Sequence, residues 1–103
     1  MIEVRSRELV ETLTRLRREA HITQTAFARR IHISQPTLAA FEGGRGDPRF
    51  TTAQRYAAGL GLRLQLSIYV NDDAPPPSLR LSQLEYYAIE LGSTVTIHIE
   101  EQG

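Results

Sequence analysis

The side chains best placed to do chemistry concentrate between Thr23 and Phe50, TQTAFARRIHISQPTLAAFEGGRGDPRF. Two short helical patterns meet there at a tight corner. The second opens on a small polar cap, Ser34, followed by Gln35 and Pro36, and an arginine-bearing loop follows it. This is the layout of a helix-turn-helix, which sets its second helix into a DNA major groove.

Catalytic chemistry has no comparable candidate. His21, His32 and His98 are scattered, with no carboxylate or cysteine at metal-ligand spacing, so turn or surface positions are expected for them and no metal. Serine, histidine and aspartate all occur, but no G-x-S-x-G elbow presents a nucleophile. The glycines of GGRG lack both the strand-to-helix setting and the Lys-Ser/Thr ending of a phosphate loop. Neither an enzyme nor a cofactor is expected. Of the adjacent Tyr86 and Tyr87, one is expected to pack into a core rather than mark an interface.

A chain of 103 residues, 41% of them hydrophobic, suits one domain with an appendage and is short for a multidomain enzyme. No run approaches the roughly 18 apolar residues of a membrane span. The opening MIEVRSREL lacks the apolar core of a secretory signal, so a cytoplasmic location is expected. Without cysteine there is neither a disulfide framework nor thiolate-bound zinc. The formal charge of zero hides a segregation. Residues 1 to 70 hold eleven arginines against six acids (+5), whereas residues 71 to 103 hold Arg80 against six acids (−5). That fits a nucleic-acid-facing body joined to an acidic tail.

The elements that must position the corner follow from periodicity. Ile2 and Val4 alternate with polar neighbours, consistent with a short strand or arm. Ser6 is placed to cap a first helix reaching about Ala20, with Leu9, Leu13, Leu16 and Ala20 on one face. Thr23 caps the second helix, whose expected buried positions are Ala26, Phe27 and Ile31. His32 takes the corner, where a left-handed backbone is often needed. Ser34 caps the third helix, Pro36 sits harmlessly in its first turn, and Leu38 and Phe41 face inward. Gly43 and Gly44 stop it. A fourth helix is predicted from about Phe50 to Gly59, with Ala53, Tyr56 and Ala57 at helical spacing, and Gly61 closes the turn after it.

From Leu62 the period changes to two, with Leu62, Leu64, Leu66, Ile68 and Val70 on one face. A lone strand needs a partner, either elsewhere in this chain or in a second copy. Residues 71 to 78, NDDAPPPS, read as a proline-rich linker. Beyond it Ser82 and Glu85 suggest a capping box, a helix face is marked by Leu84, Tyr87, Ala88 and Leu91, and Gly92 ends it. Val95, Ile97 and Ile99 then alternate as a second strand, which could complete this chain's own sheet or pair with another protein. The expected organisation is a DNA-binding domain over 1–70, a linker over 71–78 and an acidic helix-strand extension over 79–103.

Residues 9 to 64 resemble the XRE, or Cro/cI-type, helix-turn-helix family. An arginine-rich first helix, TQ opening the second, SQPT opening the third, then FE-x-G, DP and a last helix ending in LGL carry the likeness in combination. The start at Ser6 and the alternating strand after Leu62 are most similar to HipB-type antitoxins. The resemblance implies a mainly α fold with a small β part: a lambda-repressor-like domain of four to five helices, then a dimerising strand and a C-terminal helix-strand extension. It implies a backbone-phosphate contact from Gln24, base reading by Gln35 with help from Thr37, and phosphate or cap roles for Ser34. Arg45 and Arg49 become phosphate or minor-groove contacts, and Arg17 with Glu42 a structural ion pair. Leu62, Leu64, Leu66 and Ile68 become the strand that pairs across a homodimer. Ala39 and Ala40 depart from the family, where many relatives place polar or basic residues, so base readout is expected to be sparse.

The function so implied is a sequence-specific repressor of double-stranded DNA, an antitoxin that represses its own operon and has a cognate toxin as partner. It would read a palindrome with half-sites spaced by turns of roughly 34 Å. Two alternatives stand beside it: a phage-type or stand-alone regulator, and an interaction module that keeps the helix-turn-helix as scaffold while its acidic C-terminal part binds a partner.

Overall fold

The computed structural model describes residues 2–68, 80–90 and 95–102, with backbone alone at 67–68 and 87–90. The elements run β1 (Ile2–Val4), α1 (Ser6–Glu19), α2 (Gln24–Arg30), α3 (Gln35–Glu42), α4 (Phe50–Gly59), β2 (Leu62–Ile68), α5 (Leu81–Glu90) and β3 (Val95–Glu101). The expected linker over 71–78, the strand position of Val70, and the helix end at Leu91 and Gly92 lie outside the described residues, as does the side chain of Tyr87. Tyr86 is exposed. No helix among the described residues is long and apolar enough to cross a membrane.

Leu9 and Leu13 of α1, Phe27 of α2, Leu38 of α3, and Ala53, Tyr56 and Ala57 of α4 are buried together, as their helical spacing requires. Three details differ from the sequence reading. Arg5, not Ser6, occupies the cap of α1, and the Glu8 side chain reaches back to its N–H at 3.4 Å. The Ser6 hydroxyl instead donates to Glu85 Oε2 of α5 at 2.5 Å, so neither residue serves its own helix end. Ala26 is exposed and Ala28 takes the buried place, because the face of α2 turned to the core is centred on Phe27, Ala28 and Ile31. His32 is left-handed with φ 60°, and His21 does the same after α1 with φ 59°, so histidine closes two successive helices. A Cβ at Gly59 would lie 2.4 Å from Ile31 Cγ2 and 3.0 Å from the Phe27 ring, which is why the end of α4 can press on α2.

The strand after α4 is not alone. β3 lies between β1 and β2, antiparallel to both, with Leu64 opposite Ile99, Leu66 opposite Ile97, and Val4 also opposite Ile97. Val4, Leu64, Val95, Ile97 and Ile99 therefore share one buried face that packs on the helices, while Glu3, Gln65 and His98 share the other. The leucine row of β2 is consumed by its own chain, and one edge of β2 is paired with β3. Leu81 and Leu84 of α5 join the same core, against α1 and β3.

β3 is thus structural for the described residues as a whole. Replacing the fully buried Ile97 by alanine should cost about 2–5 kcal/mol in urea unfolding followed by circular dichroism, in one cooperative transition. A separate early transition that leaves the helices folded would show instead that β3 is peripheral.

Candidate nucleic-acid interface

The corner between α2 and α3 is built by two local caps. Thr23 Oγ1 accepts the Ala26 N–H at 3.2 Å, and Ser34 Oγ accepts the Thr37 N–H at 3.2 Å. Both helices therefore begin on a fixed residue, and Gln24 and Gln35 each occupy the first helical position. Ser34 Oγ and Thr37 Oγ1 also share a hydrogen bond of 2.7 Å, which ties the two hydroxyls together at the exposed start of α3.

Beneath this start lies a buried polar cluster centred on Glu42. Arg17 Nε donates to its Oε2 at 2.6 Å and Arg17 Nη2 to its Oε1 at 2.8 Å, a two-pronged pair. Their side chains are 7% and 4% exposed, so solvent does not screen the pair. Arg17 Nη1 also donates to the Ile22 carbonyl at 2.6 Å, which fixes the approach to α2. The Tyr56 hydroxyl donates to Glu42 Oε2 at 2.5 Å, and its ring lies between Phe27 and Phe41 at centroid distances of 4.5 and 5.2 Å. The fourth donor is Gln24 Nε2, at 2.9 Å from Glu42 Oε1.

The cluster does not end at Gln24. Its Oε1 accepts from Gln35 Nε2 at 2.9 Å, so a line of hydrogen bonds runs from the buried carboxylate through one half-buried amide to one exposed amide. Amides have two ends, and each end here has a set role. Gln24 must point its NH2 inward because the carboxylate can only accept, which turns its oxygen toward Gln35. Gln35 spends one N–H on that oxygen and keeps its own oxygen and a second N–H for another partner.

Charge states follow from the same contacts. Burial pushes the Glu42 carboxyl up, but the hydrogen bonds from Arg17, Tyr56 and Gln24, together with the charge of Arg17, outweigh it and hold it below its ordinary 4.5. The Arg17 guanidinium is raised above its usual value, chiefly by the bond to Glu42 and against the cost of burial. Burial and the neighbouring carboxylate push the Tyr56 hydroxyl well above 10.0. At neutral pH the cluster is a carboxylate, a guanidinium and an intact phenol.

The structure brings Gln24, Ser34, Gln35, Thr37, Arg17 and Glu42 together. Arg45 and Arg49 stand apart on the exposed loop after α3, on either side of the half-buried Asp47 and Pro48. Ala39 and Ala40 are half-buried. Sequence reasoning missed Tyr56 as a polar partner and assigned it to packing alone. A tyrosine on the inward face of a helix needs a hydrogen-bond partner for its hydroxyl, and that need is the available signal. No group of histidines, aspartates and glutamates that could hold a metal occurs among the described residues.

With this geometry in view, comparison with known proteins is decisive at one level. The sequence model described as helix-turn-helix matches residues 13–66, from the middle of α1 into β2. The chain belongs to the XRE-type helix-turn-helix family. It is also 40% identical over 65 residues to the protein named Antitoxin HigA1 in Mycobacterium tuberculosis, in the strains CDC 1551 / Oshkosh and ATCC 25618 / H37Rv alike. The overlap covers 63% of this chain and 44% of the relative, so this helix-turn-helix protein matches less than half the length of those antitoxins. The expected likeness to an antitoxin is found, here to one named HigA1. No solved structure matches. As a family member the chain carries a helix-turn-helix of the DNA-binding kind, within the matched residues 13–66.

Removing one side of the buried pair leaves the other charge stranded. Arg17→Met should lower unfolding stability by about 3–5 kcal/mol. Because folding lowers the proton affinity of Glu42, the unfolded chain takes up more protons in acid, and stability must fall as pH drops below about 4.5. The carboxylate's share is fully present above that value. Chemical denaturation between pH 3 and about 7 should show this acid limb in the native protein and a reduced one in Glu42→Gln. An unchanged limb would remove Glu42 as its source.

Proposed function

We propose that this protein is a sequence-specific transcriptional repressor and the antitoxin of a toxin and antitoxin operon that it represses itself. The observation that carries the reading is the aligned pair of amides, Gln24 half-buried and Gln35 exposed, standing on the Glu42 cluster at the first turns of α2 and α3. An exposed Gln35 with a free oxygen and a free N–H matches the N6 and N7 edge of adenine, the pairing by which glutamine reads that base in the major groove. Gln24, its side-chain amide held between Glu42 and Gln35, would take a backbone phosphate through its main-chain N–H at the positive end of α2, and Ser34 would take another beside it. Thr37 would add a contact to a thymine methyl or a phosphate.

Arg45 and Arg49 would hold the flanking backbone, and the excess of arginine over residues 1–70 supports a binding mode that weakens steeply with salt. The half-buried alanines 39 and 40 leave few further readers, so DNA shape would carry part of the selectivity. A homodimer would set the spacing of half-sites. Since Leu64 is buried, Leu62 and Leu66 pack partly buried against the same core, and β3 occupies one edge of β2, pairing between copies would use the backbone of the other edge. A protein toxin encoded beside this chain is the proposed partner, on the strength of its likeness to a protein named as an antitoxin.

Purification with the neighbouring gene product, then binding to the DNA upstream of the operon with and without it, tests both halves of the proposal. Gln35→Ala should keep the fold and lose about 1–3 kcal/mol of operator binding, with discrimination relaxed at one base pair. Undiminished binding by that variant would remove Gln35 as the reader. Failure of the native protein to retard any DNA from its own promoter would favour the helix-turn-helix as mere scaffold.

A further inference from the structure

The segment outside the matched family region meets the arginine loop at a built contact. The first turn of α5 is capped from 35 residues away in sequence: Asp47 Oδ1 accepts the Ser82 N–H at 3.2 Å, and Asp47 Oδ2 accepts the Ser82 hydroxyl. The Pro48 carbonyl accepts the Leu81 N–H at 2.9 Å, and the Asp47 carbonyl accepts from Arg80 Nη1 at 2.5 Å. Arg49 and Arg80 form a further antiparallel backbone bridge. Three consecutive loop residues, 47 to 49, are thus fastened to the three that open α5.

The helix that supplies these partners is itself anchored. Leu84 is fully buried, Leu81 is 8% exposed, and Glu85 accepts the Ser6 hydroxyl of α1. The Asp47 carboxylate at the positive end of α5 is also the favourable sign for a helix N-terminus. Exposed Arg45 and Arg49 flank this fastening on the same short loop, Arg49 directly and Arg45 through Gly46, which has φ 75° and open space around it.

We infer that the first turn of α5 is a positioning element for DNA binding, and that Asp47 is the positioning residue through which the C-terminal segment holds the loop bearing Arg45 and Arg49 in its phosphate-contacting shape. This rests on the DNA-binding reading above. An unfastened loop would have to be ordered by the DNA itself, at a cost in affinity. The contact also gives a partner of the C-terminal segment a route to the DNA. Whatever displaces the start of α5 loosens two of the arginines without touching α3.

The test compares full-length native protein with Asp47→Ala, Asp47→Asn and Ser82→Ala, using duplex DNA from upstream of the chain's own gene. Asp47→Ala should weaken binding about three- to tenfold and lower the slope of log K against log salt by about 1, as losing a phosphate contact does. It should leave discrimination at the base read by Gln35 intact. Asp47→Asn keeps an acceptor for the Ser82 N–H and should restore most of the loss, with Ser82→Ala in between. In a double-mutant cycle, Asp47→Ala should add little to a protein already lacking Arg45 and Arg49. Without DNA, amide exchange at residues 45, 46, 47 and 49 should quicken in Asp47→Ala while the α3 amides stay protected. Native binding combined with full additivity in the cycle, or with unchanged loop exchange, would overturn the inference alone. Absence of DNA binding by the native protein would overturn the functional reading, and this inference with it.

Discussion

The carboxylate of Glu42 is the point on which the helical half of the molecule depends. Its two oxygens accept four hydrogen bonds from α1, α2 and α4, so one side chain at the end of α3 fixes the mutual placement of all four helices. A buried ion pair adds little stability over a well-packed apolar substitute, because desolvation offsets most of its attraction. What the pair supplies is direction. A leucine at that place could not dictate which way Gln24 turns its amide, and through Gln24 the orientation of Gln35 is set from the core outward.

The apolar half obeys a different constraint. A three-stranded sheet with one buried face cannot slip by a residue without turning its isoleucines to water. Pairing Leu64 with Ile99 and Leu66 with Ile97 puts the buried side chains of Leu64, Val95, Ile97 and Ile99 on the helix side. Polar contacts on the opposite face, the Arg63 to Glu100 ion pair at 3.6 Å and the approach of His98 to Glu3 at 3.5 Å, are more exposed and contribute little beyond favouring that register.

How much of this could be read in the sequence depended on how local each cause was. The Thr23 and Ser34 caps, the left-handed His32 and the inward Leu38 and Phe41 follow from neighbours within a turn or two, and all stand where the spacing put them. The Arg17 to Glu42 pair, 25 residues apart, was reached through family resemblance rather than periodicity. A period of two told which face of Leu62–Ile68 is apolar, but the same pattern serves a strand in its own sheet and one paired with a second copy. The sequence could not choose, whereas the structure does for one edge. Ser82 and Glu85 had the spacing of a capping box, yet their side chains engage Asp47 and Ser6. A cap supplied from a distant loop leaves no pattern in the local sequence.

The central position of β3 has a consequence for the order of assembly. β1 and β2 are synthesised first, but neither pairs with the other; both wait for residues 95–101, after every other described element. Until that segment leaves the ribosome, the leucines of β2 lack their covering strand and its backbone lacks a partner, the condition under which nascent chains attract chaperones and proteases. The sheet against which the helices pack is thus completed only by a strand distant in sequence from both of its neighbours.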